Sequence, residues 1–193
     1  MLRAEIIETQ SVWDSKFDID TIALPMIAYL LDDKHVLATL KQETFDGHNT
    51  YVAPPRDLSQ DDPDYEQVMA ALRKHHRDFA QSQADRGEKE LRAIIAEIRT
   101  EAKSDRIRGF RNFRMRSAHL VIQTRAERGA PGGIPKITFD DASDILECTI
   151  TLTERLYCWV CGTSFDISTD VRRIEEEHAK ALWLQYLRPL DEA

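Results

Sequence analysis

Apolar residues recur at helical spacing along most of the chain. The spacing predicts a first helix over 24–48, with Pro25 in its first turn, where a missing N–H costs nothing. A break rich in proline and acids follows over 47–63. A second helix is predicted over 64–84. A third is predicted from about Gly87 to about Ile122, with a kink or local boundary at Gly109 because glycine is a poor helix former.

The C-terminal half carries clearer helix start and stop signals. A glycine- and proline-rich loop spans 128–136. Thr138 is a predicted N-cap, with Asp141 three residues on as a capping-box partner, and Gly162 is a stop signal. These signals predict a fourth helix over 139–161, and a last helix is predicted from Ser168 or Thr169 to about 187.

The predicted fold is therefore an all-α, antiparallel bundle of four to five helices. Residues 1–20 show poor helical spacing and are predicted to form an N-terminal arm, with Trp13 packed onto the body. Residues 21–193 form the predicted helical domain, including its C-terminal helix. No internal repeat is apparent.

Charge is unevenly distributed along the chain. The formal net charge is −8, but the segment from Arg99 to Arg128 holds nine lysines and arginines against three acids, a net charge of +6. Three cysteines do not predict a disulfide framework. The longest apolar run, Ile22 to Leu31, is about half a membrane span. No signal peptide is visible, so we expect a soluble, cytoplasmic protein without membrane contact.

The segment Arg108 to His119 concentrates the candidate chemistry late on the predicted third helix. Helical spacing places Arg108, Asn112 and His119 on one face, with Arg111 and Arg116 beside them. Guanidinium groups match phosphate oxygens, and an imidazole moves protons near neutral pH. The plainer interpretation is an arginine-rich face that is solvated or paired with the chain's many acids.

The order of these residues resembles the HEPN superfamily, and its abortive-infection, AbiU-type branch most closely. The resemblance covers about residues 86–165: Arg111–Asn112, then Ala118–His119 near a helix end, then a loop and the Thr-Phe-Asp-Asp that begins at Thr138. It implies a helical bundle that dimerises with its Arg/His motifs meeting across the interface. Many members are metal-independent ribonucleases of toxin–antitoxin, phage-defence or RNA-processing systems, and others are inactive binding modules.

The resemblance also implies roles for individual residues. His119 matches the family histidine and would transfer protons. Arg114 would hold the phosphate, since four residues separate it from His119, although Met115 replaces the polar residue that often follows the family arginine. Arg111 is the alternative, although seven residues separate it from His119. Asn112 would orient one of these arginines, and Arg108 and Arg116 would guide the RNA backbone.

Three functions follow as hypotheses. The first is a defence or toxin–antitoxin protein that acts on RNA as a homodimer, possesses metal-independent endoribonuclease activity and has an antitoxin as a further partner. The second is a non-catalytic helical module for protein or RNA interaction, in which the arginines pair with acids. The third is a metal-dependent bundle enzyme built on Asp32-x-x-His35 and Glu175-x-x-His178, but the additional glutamates such sites use are not assignable.

We predict no metal or cofactor site. The lone Cys158-x-x-Cys161 lacks the second ligand pair that structural zinc needs, so core or partly buried cysteines are expected there.

Overall fold

The computed structural model describes residues 11–14, 22–50, 52–55, 58–119, 129 and 137–164, with scattered positions between 166 and 181, but not the side chains of residues 116–119 and 139. This part of the chain contains five helices and no strand. They are α1 (Leu24–Leu31), α2 (Lys34–His48), α3 (Tyr65–Glu101), α4 (Asp105–His119) and α5 (Phe139–Cys161). The predicted all-α bundle is confirmed. The predicted 128–136 loop and the last helix lie largely outside the described residues.

The predicted first helix is two helices, because Asp33 interrupts it. Its carboxylate accepts hydrogen bonds from the backbone N–H groups of His35, at 2.8 Å, and Val36, at 3.2 Å. These are N-terminal donors that have no partner inside a helix, so an aspartate here starts a new helix. The break separates α2 from α1 just after the apolar run.

The predicted boundary between the second and third helices, near Gly87, is wrong. Helix α3 runs unbroken for 37 residues, and Gly87 is buried inside it. A Cβ added at Gly87 would stand 3.1 Å from ring carbons of Trp159. Glycine therefore serves here as a packing site for the indole of α5, and not as a helix end.

The predicted kink at Gly109 is also misplaced. The chain leaves the helical path over 102–104, and α4 starts at Asp105 and continues through Gly109 to His119. The Ser104 hydroxyl accepts a hydrogen bond from the N–H of Ile107 at 3.2 Å, which caps the new helix. Gly109 is buried within it.

The core lies between the helices and includes one residue of the N-terminal segment. Helix α3 contacts α1, α2 and α5. The largest fully buried side chains are Trp13, Ile94, Ile98, Ile107, Phe110 and Ile145. Trp13 thus packs onto the body as predicted. None of the described helices is long and apolar enough to traverse a membrane.

Helix α5 has the bounds that its sequence signals predict. The Thr138 hydroxyl accepts from the N–H of Asp141 at 3.2 Å, and the Asp141 carboxylate accepts from the N–H of Thr138 at 2.8 Å, forming a complete capping box. Gly162 ends the helix with φ of +67°, a left-handed conformation that suits glycine.

Replacing Thr138 by alanine is expected to destabilise the fold by about 0.5–2 kcal/mol, because it removes the N-cap of α5. Hydrogen bonds from the Thr138 hydroxyl and N–H lower the pKa of Asp141. The ionised Asp141 carboxylate therefore contributes to the free energy of unfolding fully above its ordinary pKa. That contribution is lost as the pH falls through the lowered pKa of the folded protein. Urea unfolding of Thr138→Ala at neutral and acidic pH measures both effects. Thr151→Ala, at an exposed position within α5, is the control and is expected to change stability little.

Candidate functional site

The residues predicted to form the site lie on α4, but they do not form one uniform face. Arg108 is exposed and pairs with Asp105 one turn earlier, at 2.9 Å. Asn112 is buried, whereas helical spacing predicted that it would face the same side as Arg108. Helix α4 extends to His119, so this residue lies on the same helix as the arginines. The side chains of Arg116 and His119 are outside the described part of the structure.

Residues 11–14 are the described part of the predicted N-terminal arm, and from here on the arm means these four residues, which lie against α4 and α5. Trp13 is fully buried, and its indole N–H donates to the Thr149 hydroxyl on α5 at 2.8 Å. The carbonyl of Val12 accepts from the N–H of Leu24, at the start of α1, also at 2.8 Å. The arm is therefore attached to the bundle by the buried Trp13 side chain and by hydrogen bonds to α5 and α1.

Both arginines predicted to hold a phosphate contact this arm. The Arg114 Nη1 lies 2.7 Å from a carboxylate oxygen of Asp14, a charge-assisted hydrogen bond. The Arg111 Nη2 donates to the backbone carbonyl of Trp13 at 2.8 Å. Arg114 and Asp14 are both partly exposed, with side-chain exposures of 31% and 27%. The two guanidinium groups thus contact adjacent residues of the arm.

Arg111 has an incompletely satisfied guanidinium. Within the described part of the chain, its Nε is buried and has no hydrogen-bond partner. Burial lowers the pKa of Arg111 below its ordinary value, and the nearby negative charge of Asp14 opposes that shift. An arginine stays protonated despite such a shift, so the positive charge remains in place. A buried cationic donor without an acceptor favours an anion nearby.

The other described arginines of α4 lie nearer its N-terminus. Arg106 contacts Glu101 and Asp144, both at 3.3 Å. Together with the Arg108–Asp105 pair, these contacts neutralise the first turns of α4. An exposed pair such as Arg108–Asp105 contributes little stability. Arg111 and Arg114 are distinguished from these two arginines by their contact with the arm.

No other candidate site from the sequence is assembled within the described residues. Asp32 pairs with Arg99 at 2.7 Å, and Glu175 is outside the described residues. Cys158 and Cys161 border a cavity of about 460 Å³ between the C-terminal ends of α2 and α5, far along the chain from α4. No group of three or more His, Cys, Asp or Glu side chains suited to a metal occurs among the residues that the structure describes.

Sequence reasoning missed Asp14 as part of this site. It placed Trp13 on the body but gave no reason to bring Asp14 to Arg114, which lies 100 residues later in the chain. The only local signal is a tryptophan directly followed by an acid in an otherwise weakly patterned segment. Such a residue pair can anchor a segment and place a charge, but it does not identify the partner.

Comparison with known proteins adds no family. A scan against protein-family models, a search of the curated proteins and a search of the solved structures each returned no match to this chain.

Proposed function

We propose that this chain is an RNA-directed helical protein of the HEPN type that acts as a homodimer in a phage-defence or toxin–antitoxin system. In its full form the proposal includes metal-independent endoribonuclease activity. RNA phosphates bind along α4, with Arg114 as the principal phosphate ligand. Arg111, Arg108 and Arg116 supply further positive charge.

The observation that carries this proposal is the contact between Arg114 and Asp14. The guanidinium that the motif spacing assigns to phosphate binding is oriented toward an oxyanion, at 2.7 Å. Carboxylate and phosphate oxygens accept charge-assisted hydrogen bonds of the same length from arginine. The unsatisfied Nε of Arg111, on the same side of α4, gives independent support for an anion site.

The proposed reaction needs only groups that RNA and this helix provide. The 2′-hydroxyl oxygen attacks the adjacent phosphorus, forming the O2′–P bond while the P–O5′ bond breaks. His119 assists the transfer of the 2′-hydroxyl proton and the protonation of the departing 5′ oxygen. Arg114 stabilises the negative charge that builds up on the phosphate oxygens. The products are a 2′,3′-cyclic phosphate and a 5′-hydroxyl end.

Binding of a labelled single-stranded RNA in EDTA tests the phosphate site apart from the chemistry. Arg114→Ala is expected to weaken binding and to reduce the slope of log affinity against log salt by about 0.7, the value for one lost phosphate contact on a single strand. Fluorescence anisotropy at several salt concentrations measures both quantities.

Arg99→Ala is the matched control for this experiment. Arg99 also pairs with an aspartate at 2.7 Å, but it lies on α3 and its partner is Asp32, which is not part of the arm. It is expected to retain the wild-type affinity and salt slope. Equal losses in both variants, or no loss in either, would contradict a phosphate site at Arg114.

A second candidate function is a non-catalytic helical interaction module. One observation favours it: every α4 arginine whose side chain is described contacts a group of the same chain. These are Arg106, Arg108, Arg111 and Arg114. In that case the arginines stabilise the arm and the helix ends. Binding of RNA without cleavage, or binding of a protein partner alone, would support this function over the first.

A further inference from the structure

We infer that the Asp14 carboxylate occupies the subsite in which Arg114 holds a phosphate oxygen, and that RNA binds there by displacing it. This inference rests on the proposed function and adds regulation to the same site. The Asp14 oxygen lies 2.7 Å from Nη1 of Arg114, within the range for a phosphate oxygen bound to arginine. Both anions need the same guanidinium donor, so they compete for it.

The structure allows the Asp14 side chain to move while the arm stays attached. The backbone next to it is held by Trp13, which is fully buried, hydrogen-bonded to Thr149 through its indole and bonded to Arg111 through its carbonyl. The Asp14 side chain itself is partly exposed, at 27%. A rotation about its side-chain bonds therefore removes the carboxylate from Arg114 without extracting the tryptophan from the core.

The anchor also explains why a carboxylate would compete effectively. Trp13 keeps Asp14 beside Arg114, so the competition is intramolecular and the carboxylate acts at a high effective concentration. Only molecules whose Asp14 carboxylate has turned away from Arg114 can bind RNA at this subsite. The apparent affinity for RNA is therefore the intrinsic affinity multiplied by the fraction of molecules in that state. The wild-type protein thus binds RNA more weakly than its arginines alone would allow.

Displacement of the Asp14 carboxylate breaks the contact of Arg114 but leaves the hydrogen bond of Arg111 in place. Arg111 donates to a neutral backbone carbonyl, and that bond remains when the Asp14 side chain rotates away. Its charge, currently balanced in part by Asp14, then faces the incoming anion as well. A phosphate that replaces the carboxylate therefore meets the field of two guanidinium groups.

The neutral variant Asp14→Asn tests this competition by removing the charge while keeping the side-chain shape. We expect its affinity for a labelled single-stranded RNA in EDTA to rise about two- to fivefold, the range for release of one partly exposed ion pair. The slope of log affinity against log salt is expected to stay close to the wild-type value, because Arg114 neutralises the same phosphate in both bound complexes. The double variant Asp14→Asn/Arg114→Ala should lose the gain.

Asp32→Asn is the matched control, since Asp32 also forms a 2.7 Å bond with an arginine but lies at the end of α1. It removes the same charge from the chain and is expected to leave RNA affinity unchanged. Circular dichroism and thermal unfolding verify that each variant is folded. Asp14→Ser provides a second neutral variant should Asp14→Asn lower the folded fraction.

The outcomes separate this inference from the proposed function. If Arg114→Ala weakens RNA binding but Asp14→Asn binds like the wild type or more weakly, the competition is overturned and the proposed phosphate site stands. If Asp32→Asn gains as much affinity as Asp14→Asn, the effect is one of overall charge, and the competition is again overturned. If Arg114→Ala binds RNA like the wild type, the proposed phosphate site fails and the competition fails with it.

Discussion

His119→Ala is expected to cleave RNA in EDTA roughly 10²–10⁴-fold more slowly than the wild-type protein, the usual contribution of a positioned acid–base group. Its affinity for RNA should change little, because the arginines supply the phosphate contacts. The substitution is therefore expected to lower the rate constant of cleavage and to leave the dissociation constant for RNA nearly unchanged. Single-turnover cleavage of an end-labelled RNA, with protein in excess, separates the two.

Two controls link any cleavage to His119: the chemistry of the RNA ends that are produced, and a variant at a different histidine. Cleavage by the proposed reaction leaves 2′,3′-cyclic phosphate ends, which distinguishes it from contaminating metal-dependent nucleases. His75→Ala, at an exposed position on α3, should cleave at the wild-type rate. Equal rates for the wild type and His119→Ala would remove His119 from the mechanism.

Trp13→Ala is expected to cost about 3–5 kcal/mol of unfolding free energy, as for other large aromatic side chains deleted from a core. Trp13 is fully buried, and its loss leaves a cavity in the core cluster that also contains Ile145 and Phe110. It also removes the hydrogen bond to Thr149. Because a domain of this size is marginally stable, the change threatens folding itself.

Trp13→Phe helps to separate the effect of losing the aromatic side chain from the effect of losing the hydrogen bond to Thr149. Phenylalanine keeps one six-membered aromatic ring and loses the five-membered ring with its N–H donor, whose hydrogen bond typically contributes about 0.5–1.5 kcal/mol. The order of stability should be wild type, then Trp13→Phe, then Trp13→Ala in urea unfolding. Leu146→Ala removes a large apolar side chain that is 48% exposed on α5 and should cost far less. A Trp13→Ala variant as stable as Leu146→Ala would show that the arm is not part of the core.

The sequence predicts those elements whose boundaries are encoded locally. Thr138, Asp141 and Gly162 define both ends of α5, and the structure has the helix between them. Glycine was a misleading signal where tertiary packing determines its role. Gly87 lies inside a continuous helix because the absence of a Cβ lets Trp159 pack closely against α3. That requirement involves a residue 72 positions later and leaves no local pattern.

The candidate site was predictable only in part, for the same physical reason. Helical spacing places Arg111 and Arg114 on one helix, and their chemistry indicates an anion. The identity of the nearby anion depends on a contact between Asp14 and Arg114 across 100 residues. Spacing within one helix also cannot show that Asn112 is buried while Arg108 is exposed, since burial depends on the neighbouring segments.

The most direct test is a crystal structure of the protein with a short RNA whose 2′-hydroxyl at the cleavage position is replaced by hydrogen. The account predicts a phosphate oxygen within hydrogen-bond distance of the Arg114 guanidinium, with the Asp14 carboxylate turned away and Trp13 still buried. An RNA bound elsewhere, with the contact of 2.7 Å between Arg114 and Asp14 intact, would contradict it.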